Sequence, residues 1–166
     1  MENIIIRSFH KKDYPSVKKI YQEGIDTKIA TFETQAPEFD IWSKSHNSNC
    51  TLVAIYNDDV IGFITLTPFS SRYVYRGVGE VSVYVASEFR NLGVGLSLME
   101  SFVKATEEEG FWMLLAKIFP ENQPSLKLHK RNGFRVVGRL TKIGQTTEGI
   151  WKDNIFLERR SEVVGK

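Results

Sequence analysis

The segment Val81-Ser82-Val83-Tyr84-Val85 and the segment Arg90-Asn91-Leu92-Gly93-Val94-Gly95 decide how this chain folds. The first is an apolar run that predicts a buried strand, and apolar residues at helical spacing follow the second. The first N–H groups of a helix have no partner within the helix, and the helix dipole favours negative charge beside them. Gly93 and Gly95 let an anion approach these amides, and Arg90 adds positive charge. The order of strand, glycine turn and helix therefore predicts an anion-binding site.

The residues after Gly95 narrow the class of anion. A nucleoside-triphosphate P-loop requires Gly-Lys-Ser/Thr, whereas Leu96 and Ser97 follow Gly95 here. A dinucleotide-binding turn requires a third glycine or alanine at the position of Leu98. Neither pattern fits, and the plainest alternative is a helix that is simply entered through glycines.

A second motif lies between Pro120 and Phe134. Asn122 is suited to cap the start of a helix, and Gly133 is suited to end it. Offsets of three and seven residues return to the same helical face, so Asn122, Ser125 and His129 are expected to lie near one another.

The two motifs together resemble the GNAT family of N-acetyltransferases. Arg-x-x-Gly-x-Gly after a strand is similar to the family's pyrophosphate loop, and Asn122 to Phe134 is similar to its second acetyl-CoA motif. The family often has a tyrosine where His129 stands. Further blocks resemble its phosphinothricin and methionine sulfoximine N-acetyltransferases, and the likeness runs from about Arg7 to about Arg160. These blocks are residues 31–34, 79–85, 118–122, 128–129, 136–139 and 142–144.

The resemblance implies a mixed α/β fold. Its central twisted sheet has about seven strands and is flanked by about four helices, in a single domain of residues 1–166. It also implies acetyl-CoA as co-substrate, direct acetyl transfer to the amine of a small amino-acid-like molecule, and a homodimer. The expected acetyl-CoA site comprises Val83, Val85, Arg90, Asn91, Leu92, Gly93, Val94, Gly95, Asn122 and Ser125.

Two titratable residues are candidates for proton transfer. Glu80 is an acid at the start of the central strand, and in the resembled subfamily a glutamate at this place is linked to activation of the amine, directly or through water. His129 has an ordinary pKa suited to proton transfer near neutral pH. The alternatives are a structural pairing of Glu80 with Arg76 and a histidine that only packs against the sheet. Backbone amides of Val83 and Val85 are the implied donors to the oxyanion, whereas Tyr84 points the other way and is expected in the core.

The candidate substrate site lies mainly before Glu80. Arg72, Tyr75 and Arg76 precede it, and an arginine fork suits a carboxylate or phosphinate. Phe32 and Lys142 complete the subfamily pattern. The alternative for the segment 72–76 is an exposed loop. Other acceptors, a polyamine or a protein N-terminus, stay open, as does a non-catalytic module that binds acyl-CoA.

Composition excludes several other classes of protein. The chain has 166 residues, 42% of them apolar, and its net charge of +2 gives no reason to expect nucleic acid. It shows no apolar run of membrane-spanning length and no signal-peptide hydrophobic region, so a cytoplasmic protein is expected. Cys50 is the sole cysteine, and a nucleophilic role for it is not expected. The histidines His10, His46 and His129 lack ligand spacing, so no metal is expected.

Overall fold

A computed structural model describes residues 4–166, which form a mixed sheet with helices packed on both faces. The strands are β1 (Ile5–Ser8), β2 (Leu52–Tyr56), β3 (Asp59–Pro68), β4 (Val78–Val85), β5 (Met113–Ile118), β6 (Arg135–Gln145) and β7 (Trp151–Arg160). The α-helices are α1 (Tyr14–Asp26), α2 (Phe39–Ser45), α3 (Val94–Glu108) and α4 (Gln123–Arg131). The predicted fold of seven strands and four helices is therefore confirmed for these residues. The single domain of residues 1–166 stays a prediction, because residues 1–3 lie outside the described part.

The strands follow the order β1-β2-β3-β4-β5-β7-β6 across the sheet. The β4–β5 pair is parallel and the other neighbouring pairs are antiparallel. Asn57 and Asp58, with φ of 48° and 67°, form the tight turn between β2 and β3. Such positive φ values at two successive residues match the right-handed twist of a hairpin, and Asn and Asp tolerate them well.

Alternating side chains supply the sheet with two apolar faces. One face packs against α3 through Leu98, Met99 and Phe102, which are all fully buried. The other face packs against α1 and α2, where Val17 and Trp42 are buried. Because both faces are covered, the middle strands are held in place from two sides.

The two central strands separate halfway along their length. β4 and β5 pair only from Val78↔Met113 to Glu80↔Leu115, although β4 continues to Val85 and β5 to Ile118. Over this length β4 keeps its pairing with β3, and β5 keeps its pairing with β7. The sheet therefore opens between β4 and β5 beyond Glu80, and this opening leads from one face to the other.

Candidate active site

A cleft of about 880 Å³ occupies the opening between β4 and β5. We call its two sides the α1 half, formed by α1, residues 27–33 and the sheet face carrying Glu80, and the α3 half, formed by residues 90–96 and α4. The structure brings together most of the predicted site residues here. Those that line the cleft are Phe32, Glu80, Val83, Val85, Arg90, Asn91, Gly93, Val94, Gly95, Asn122, Ser125 and His129.

The backbone amides of Val83 and Val85 face this cleft. The N–H of Ala86 donates to the Ile61 carbonyl at 2.9 Å, on the β3 side of the strand. Successive amides of a strand point to opposite edges, so those of Val83 and Val85 point to the edge that β5 has left. An oxyanion at this edge would find donors that no neighbouring strand uses.

The glycine turn presents a cluster of free amides in the α3 half. Gly93 has φ of 87° and forms the N-terminal boundary of α3, and Asn91 has φ of 62°. The first helical hydrogen bond runs from the Ser97 N–H to the Gly93 carbonyl at 3.1 Å. Within the described chain, the amides of residues 91–96 find no hydrogen-bond acceptor. The turn therefore has the geometry of an anion site.

The residues of the turn make different structural contributions. The Nε of Arg90 donates to the Val85 carbonyl at 3.2 Å, which ties the turn to the end of β4. A Cβ at Gly93 would meet no atom within 4 Å, whereas a Cβ at Gly95 would lie 3.3 Å from Leu128. The absence of a side chain at Gly95 therefore allows α3 to pack closely against α4. Gly93 allows the left-handed backbone of the turn and leaves the space beside it open. Leu92 is exposed and does not line the cleft.

The start of α4 follows the sequence prediction. The Asn122 side chain accepts a hydrogen bond from the Ser125 N–H at 3.2 Å, which confirms the predicted cap. Gly133, with φ of 84°, follows the end of the helix. Asn122, Ser125 and His129 all line the cleft, as their spacing predicted.

His129 is a buried ring held by its own helix. Its Nδ1 lies 2.8 Å from the Ser125 carbonyl, and because a carbonyl only accepts, Nδ1 carries the proton. Its Nε2 is buried and has no partner among the described residues. Burial lowers the pKa of His129, so the neutral ring is favoured. In that state Nε2 is a hydrogen-bond acceptor.

Glu80 is paired, but its partner is not Arg76. The Lys117 Nζ lies 2.7 Å from Oε2 of Glu80, and both side chains are partly exposed in the cleft. Lys117 comes from β5, two residues beyond Leu115, which is the register partner of Glu80. The ion pair therefore lies where the two strands begin to separate.

The segment before Glu80 lies outside the cleft lining. The Arg76 guanidinium packs over the rings of Tyr73, at 4.2 Å, and Trp112, at 5.2 Å. Tyr75 packs edge-on against Phe69, and Arg72 lies 5.6 Å from the Tyr75 ring. Arg72, Tyr75 and Arg76 are exposed in the single chain, so their predicted contact with substrate stays a prediction.

The two remaining substrate candidates differ in position. Phe32 lines the α1 half and packs edge-on against Phe119, with ring centroids 4.8 Å apart. Lys142 is exposed and outside the lining, and its backbone N–H donates to Asp153 at 2.7 Å. Its neighbour Ile143 lines the cleft instead.

Sequence reasoning missed three residues of the α1 half. Lys117 is the single polar residue of an otherwise apolar strand, which is a signal that was available, whereas Asn154 follows Lys152 and Asp153 and carries no such signal. Tyr84 packs between Tyr21 and Phe63 as expected of a core residue, but it also lines the cleft. Burial raises the pKa of Tyr84, so its phenol stays protonated and can donate a hydrogen bond.

Other chemistries receive no support from the described residues. Burial raises the pKa of Cys50 to about 12, and this thiol lies in the core away from the cleft. Residues 4–166 contain no group of three or more His, Cys, Asp or Glu side chains suited to a metal ion. None of the helices in this range has both the length and the apolar character needed to cross a membrane.

Comparison with known proteins points to one family. The model of the acetyltransferase (GNAT) family matches residues 15–134. The L-methionine sulfoximine/L-methionine sulfone acetyltransferase of Pseudomonas aeruginosa is 24% identical over 159 residues, which cover 92% of each chain.

Solved structures share the fold over nearly the whole chain. A phosphinothricin acetyltransferase from Sinorhizobium meliloti, in complex with AcCoA, has a TM-score of 0.85 and 28% identity, covering 95% of this chain and 88% of that one. A ribosomal-protein-alanine N-acetyltransferase from Brucella melitensis has a TM-score of 0.86 and 29% identity, covering 95% and 99%.

Proposed function

Because the chain belongs to the GNAT family of acetyltransferases, we propose that it transfers the acetyl group of acetyl-CoA directly to the amine of a small amino-acid-like acceptor. The acceptor is of the phosphinothricin or methionine sulfoximine type. The observation that carries the proposal is one cleft that combines free strand amides, the amide cluster of the glycine turn and the Glu80 carboxylate.

The α3 half fits the co-substrate. The free amides of residues 91–96 and the dipole of α3 suit the pyrophosphate of acetyl-CoA. The Val83 and Val85 amides suit the adjoining pantetheine and thioester. Asn122 and Ser125 also line the cleft at the start of α4 and add polar groups to this half.

The reaction needs a neutral amine beside the thioester, since an ammonium group has no lone pair. Glu80 accepts a proton from the acceptor, directly or through water. The new N–C bond forms as the C–S bond breaks, and the products are the N-acetyl amide and the free thiol. Of the two protons that the ammonium loses, one leaves through Glu80 and one ends on the sulfur. The Val83 and Val85 amides stabilise the negative charge that develops on the thioester oxygen.

His129 fits this scheme as a hydrogen-bond acceptor. Its Nδ1 proton is engaged by the Ser125 carbonyl, and its lowered pKa disfavours the imidazolium form. A neutral ring with a bare Nε2 cannot give a proton to the departing thiolate. We therefore assign Nε2 the role of a hydrogen-bond acceptor next to the α3 half.

Acetylation of a protein N-terminus is the second candidate, because a structural neighbour is a ribosomal-protein-alanine N-acetyltransferase. A protein acceptor would present its terminal amine through the open side of the cleft. It would carry no free carboxylate beside that amine, which separates the two candidates chemically.

The test is thiol release from acetyl-CoA with a panel of amines. The panel contains phosphinothricin, L-methionine sulfoximine, L-methionine sulfone, free amino acids, spermidine and a peptide that begins with alanine. We expect turnover with the amino-acid analogues and little with spermidine. Turnover of the peptide or of spermidine alone would overturn the acceptor class, and binding of acetyl-CoA without turnover of any amine would favour a non-catalytic module.

A further inference from the structure

The charge distribution in the cleft singles out Lys117. It is the one charged residue of β5, whose other residues are apolar. Its Nζ lies 2.7 Å from Oε2 of Glu80, and 39% of its side chain is exposed. A lysine held against the proposed base, yet open to the cleft, is within reach of a bound acceptor.

The other cations of the cleft lie on the opposite side. Arg90, Lys127 and Arg131 belong to the glycine turn and α4, so they face the α3 half. Glu80 pairs in register with Leu115, and alternation along β5 directs Leu115 and Lys117 to the same face as Glu80. Among the described residues that line the α1 half, Lys117 is the sole cation.

A zwitterion complements this ion pair. An α-amino acid carries an ammonium and a carboxylate on the same carbon, a separation similar to the 2.7 Å between Lys117 and Glu80. Placed head to tail beside the pair, the acceptor sets its ammonium against Glu80 and its carboxylate against Lys117. Each charge then keeps an opposite neighbour, which offsets the cost of removing it from water.

An unpartnered buried acceptor lies in the same half. Asn154 on β7 is 6% exposed, and its Oδ1 has no hydrogen-bond partner among the described residues. Phe156, which follows Asn154 by two residues on β7, is the register partner of Lys117 on β5. Side chains two residues apart on a strand point to the same face, so Asn154 lies on the same face of the sheet as Lys117. An ammonium has three donors, and Glu80 alone does not satisfy them. The Oδ1 of Asn154 is a further hydrogen-bond acceptor for this ammonium in the α1 half.

We propose that Lys117 binds the carboxylate of the acceptor and makes the enzyme select α-amino acids over amines that lack an adjacent carboxylate. The inference rests on the proposed acetyltransferase function and names a residue that determines its specificity. It assigns to Lys117 the carboxylate-binding role that the sequence analysis predicted for Arg72 and Arg76. Peptide N-termini, whose neighbouring carbonyl is uncharged, are poor partners for this lysine.

The test compares L-methionine sulfone with its α-carboxamide, which differs only in lacking the negative charge. We expect the wild-type enzyme to prefer the acid in kcat/KM. Lys117→Met should lower kcat/KM for the acid by roughly 10- to 100-fold, the usual worth of a hydrogen bond to a charged group. Turnover of the amide should fall less than turnover of the acid, because both lose the positive charge beside Glu80 and only the acid also loses the partner of its carboxylate.

Three further variants give the comparison its controls. Lys117→Arg keeps the charge and should retain part of the acid preference, and Lys117→Gln replaces Lys117→Met should that variant fail to fold. Lys152→Met removes another ion-paired lysine, bonded to Glu121 at 2.9 Å and outside the cleft lining. It should leave the ratio of acid to amide turnover unchanged.

Two outcomes would overturn the inference. Equal losses for acid and amide in Lys117→Met would make the lysine a structural partner of Glu80. A wild-type enzyme that uses acid and amide equally well would leave no carboxylate recognition to assign. Failure of the proposed function looks different, because the wild-type enzyme would then acetylate neither compound.

Discussion

Glu80 is an acidic side chain at the point where the sheet opens between β4 and β5. Lys117 supplies the opposite charge at 2.7 Å, and the cleft gives access to an acceptor. A group in this position is suited to take a proton from an amine, whether directly or through a water molecule.

Replacing Glu80 by glutamine keeps its size and removes the proton-accepting charge. We expect Glu80→Gln to lower turnover by about 10²- to 10⁴-fold, the usual contribution of a general base, with little change in acetyl-CoA affinity. Steady-state kinetics and calorimetric titration measure the two effects. Glu100→Gln, an exposed change on α3, is the control. A Glu80→Gln enzyme within about twofold of wild type would leave Glu80 as the ion-pair partner of Lys117 only.

His129 should make the stability of the protein depend on pH. Burial lowers its pKa in the folded chain, whereas in the unfolded chain it titrates near 6.5. Between these values the unfolded chain binds more protons, so the free energy of unfolding falls as the pH falls. Burial lowers the pKa of His46 as well, so it adds an effect of the same sign.

We expect His129→Phe to weaken this pH dependence without abolishing it, since His46 remains. Urea unfolding at about pH 7.5 and about pH 5.5 measures the difference. The variant should also lose less activity than Glu80→Gln and show a changed pH profile. Identical pH profiles for variant and wild type would mean that the imidazole contributes packing alone.

At the scale of elements, the junction of β4 with α3 builds the anion site. Gly93 needs its φ of 87°, which L-residues with a side chain adopt at a cost of about 1–2 kcal/mol. The side of Gly93 where a Cβ would stand is open. A methyl group there would project beside the amides that are proposed to hold the pyrophosphate.

Gly93→Ala should therefore weaken acetyl-CoA binding beyond its effect on stability. Gly110→Ala is a matched control, because Gly110 follows the same helix with φ of 83° and also has open space at its Cβ position. Both variants should lose similar stability in thermal unfolding, and only Gly93→Ala should lose affinity in calorimetric titration. Gly95 is a poorer choice, since a side chain there presses on Leu128. Unchanged affinity in a folded Gly93→Ala protein would reject the site.

At the scale of the whole molecule, the terminal hairpin leaves a large apolar surface exposed. Trp151 is 55% exposed. The other exposed apolar residues of this region are Val136, Val137, Leu140, Ile143 and Ile150. An exposed apolar patch of this kind is typical of an interaction surface, so the homodimer stays our proposal. Cytoplasmic residence likewise stays a prediction.

We expect sedimentation at micromolar concentration to show a dimer that Trp151→Glu shifts towards monomer. A charge that is buried in an interface without a partner costs far more free energy than the same charge on a solvent-exposed surface. Trp151→Glu should therefore weaken the dimer. Ile41→Glu alters an exposed apolar residue on α2 and should not affect assembly. A wild-type monomer under these conditions would contradict the proposal.

The sequence alone predicted the features that depend on local chemistry. The strand, glycine turn and helix of residues 81–108 and the Asn122 cap follow from periodicity and from backbone preferences within a few residues. The seven-stranded fold and the enzyme family followed from motifs in the right order. Because these motifs also carry the predicted site residues, twelve of those residues line one cleft.

Only the tertiary structure decided which side chains meet inside that cleft. The sequence placed Arg76 nearest to Glu80 along the chain, but Arg76 packs on Trp112, and Lys117 from the next strand takes the place beside Glu80. The separation of β4 from β5 is set by their competing partners β3 and β7, which come from distant parts of the chain. Local preferences carry no information about such competition, because it depends on register and distance between segments that only folding brings together.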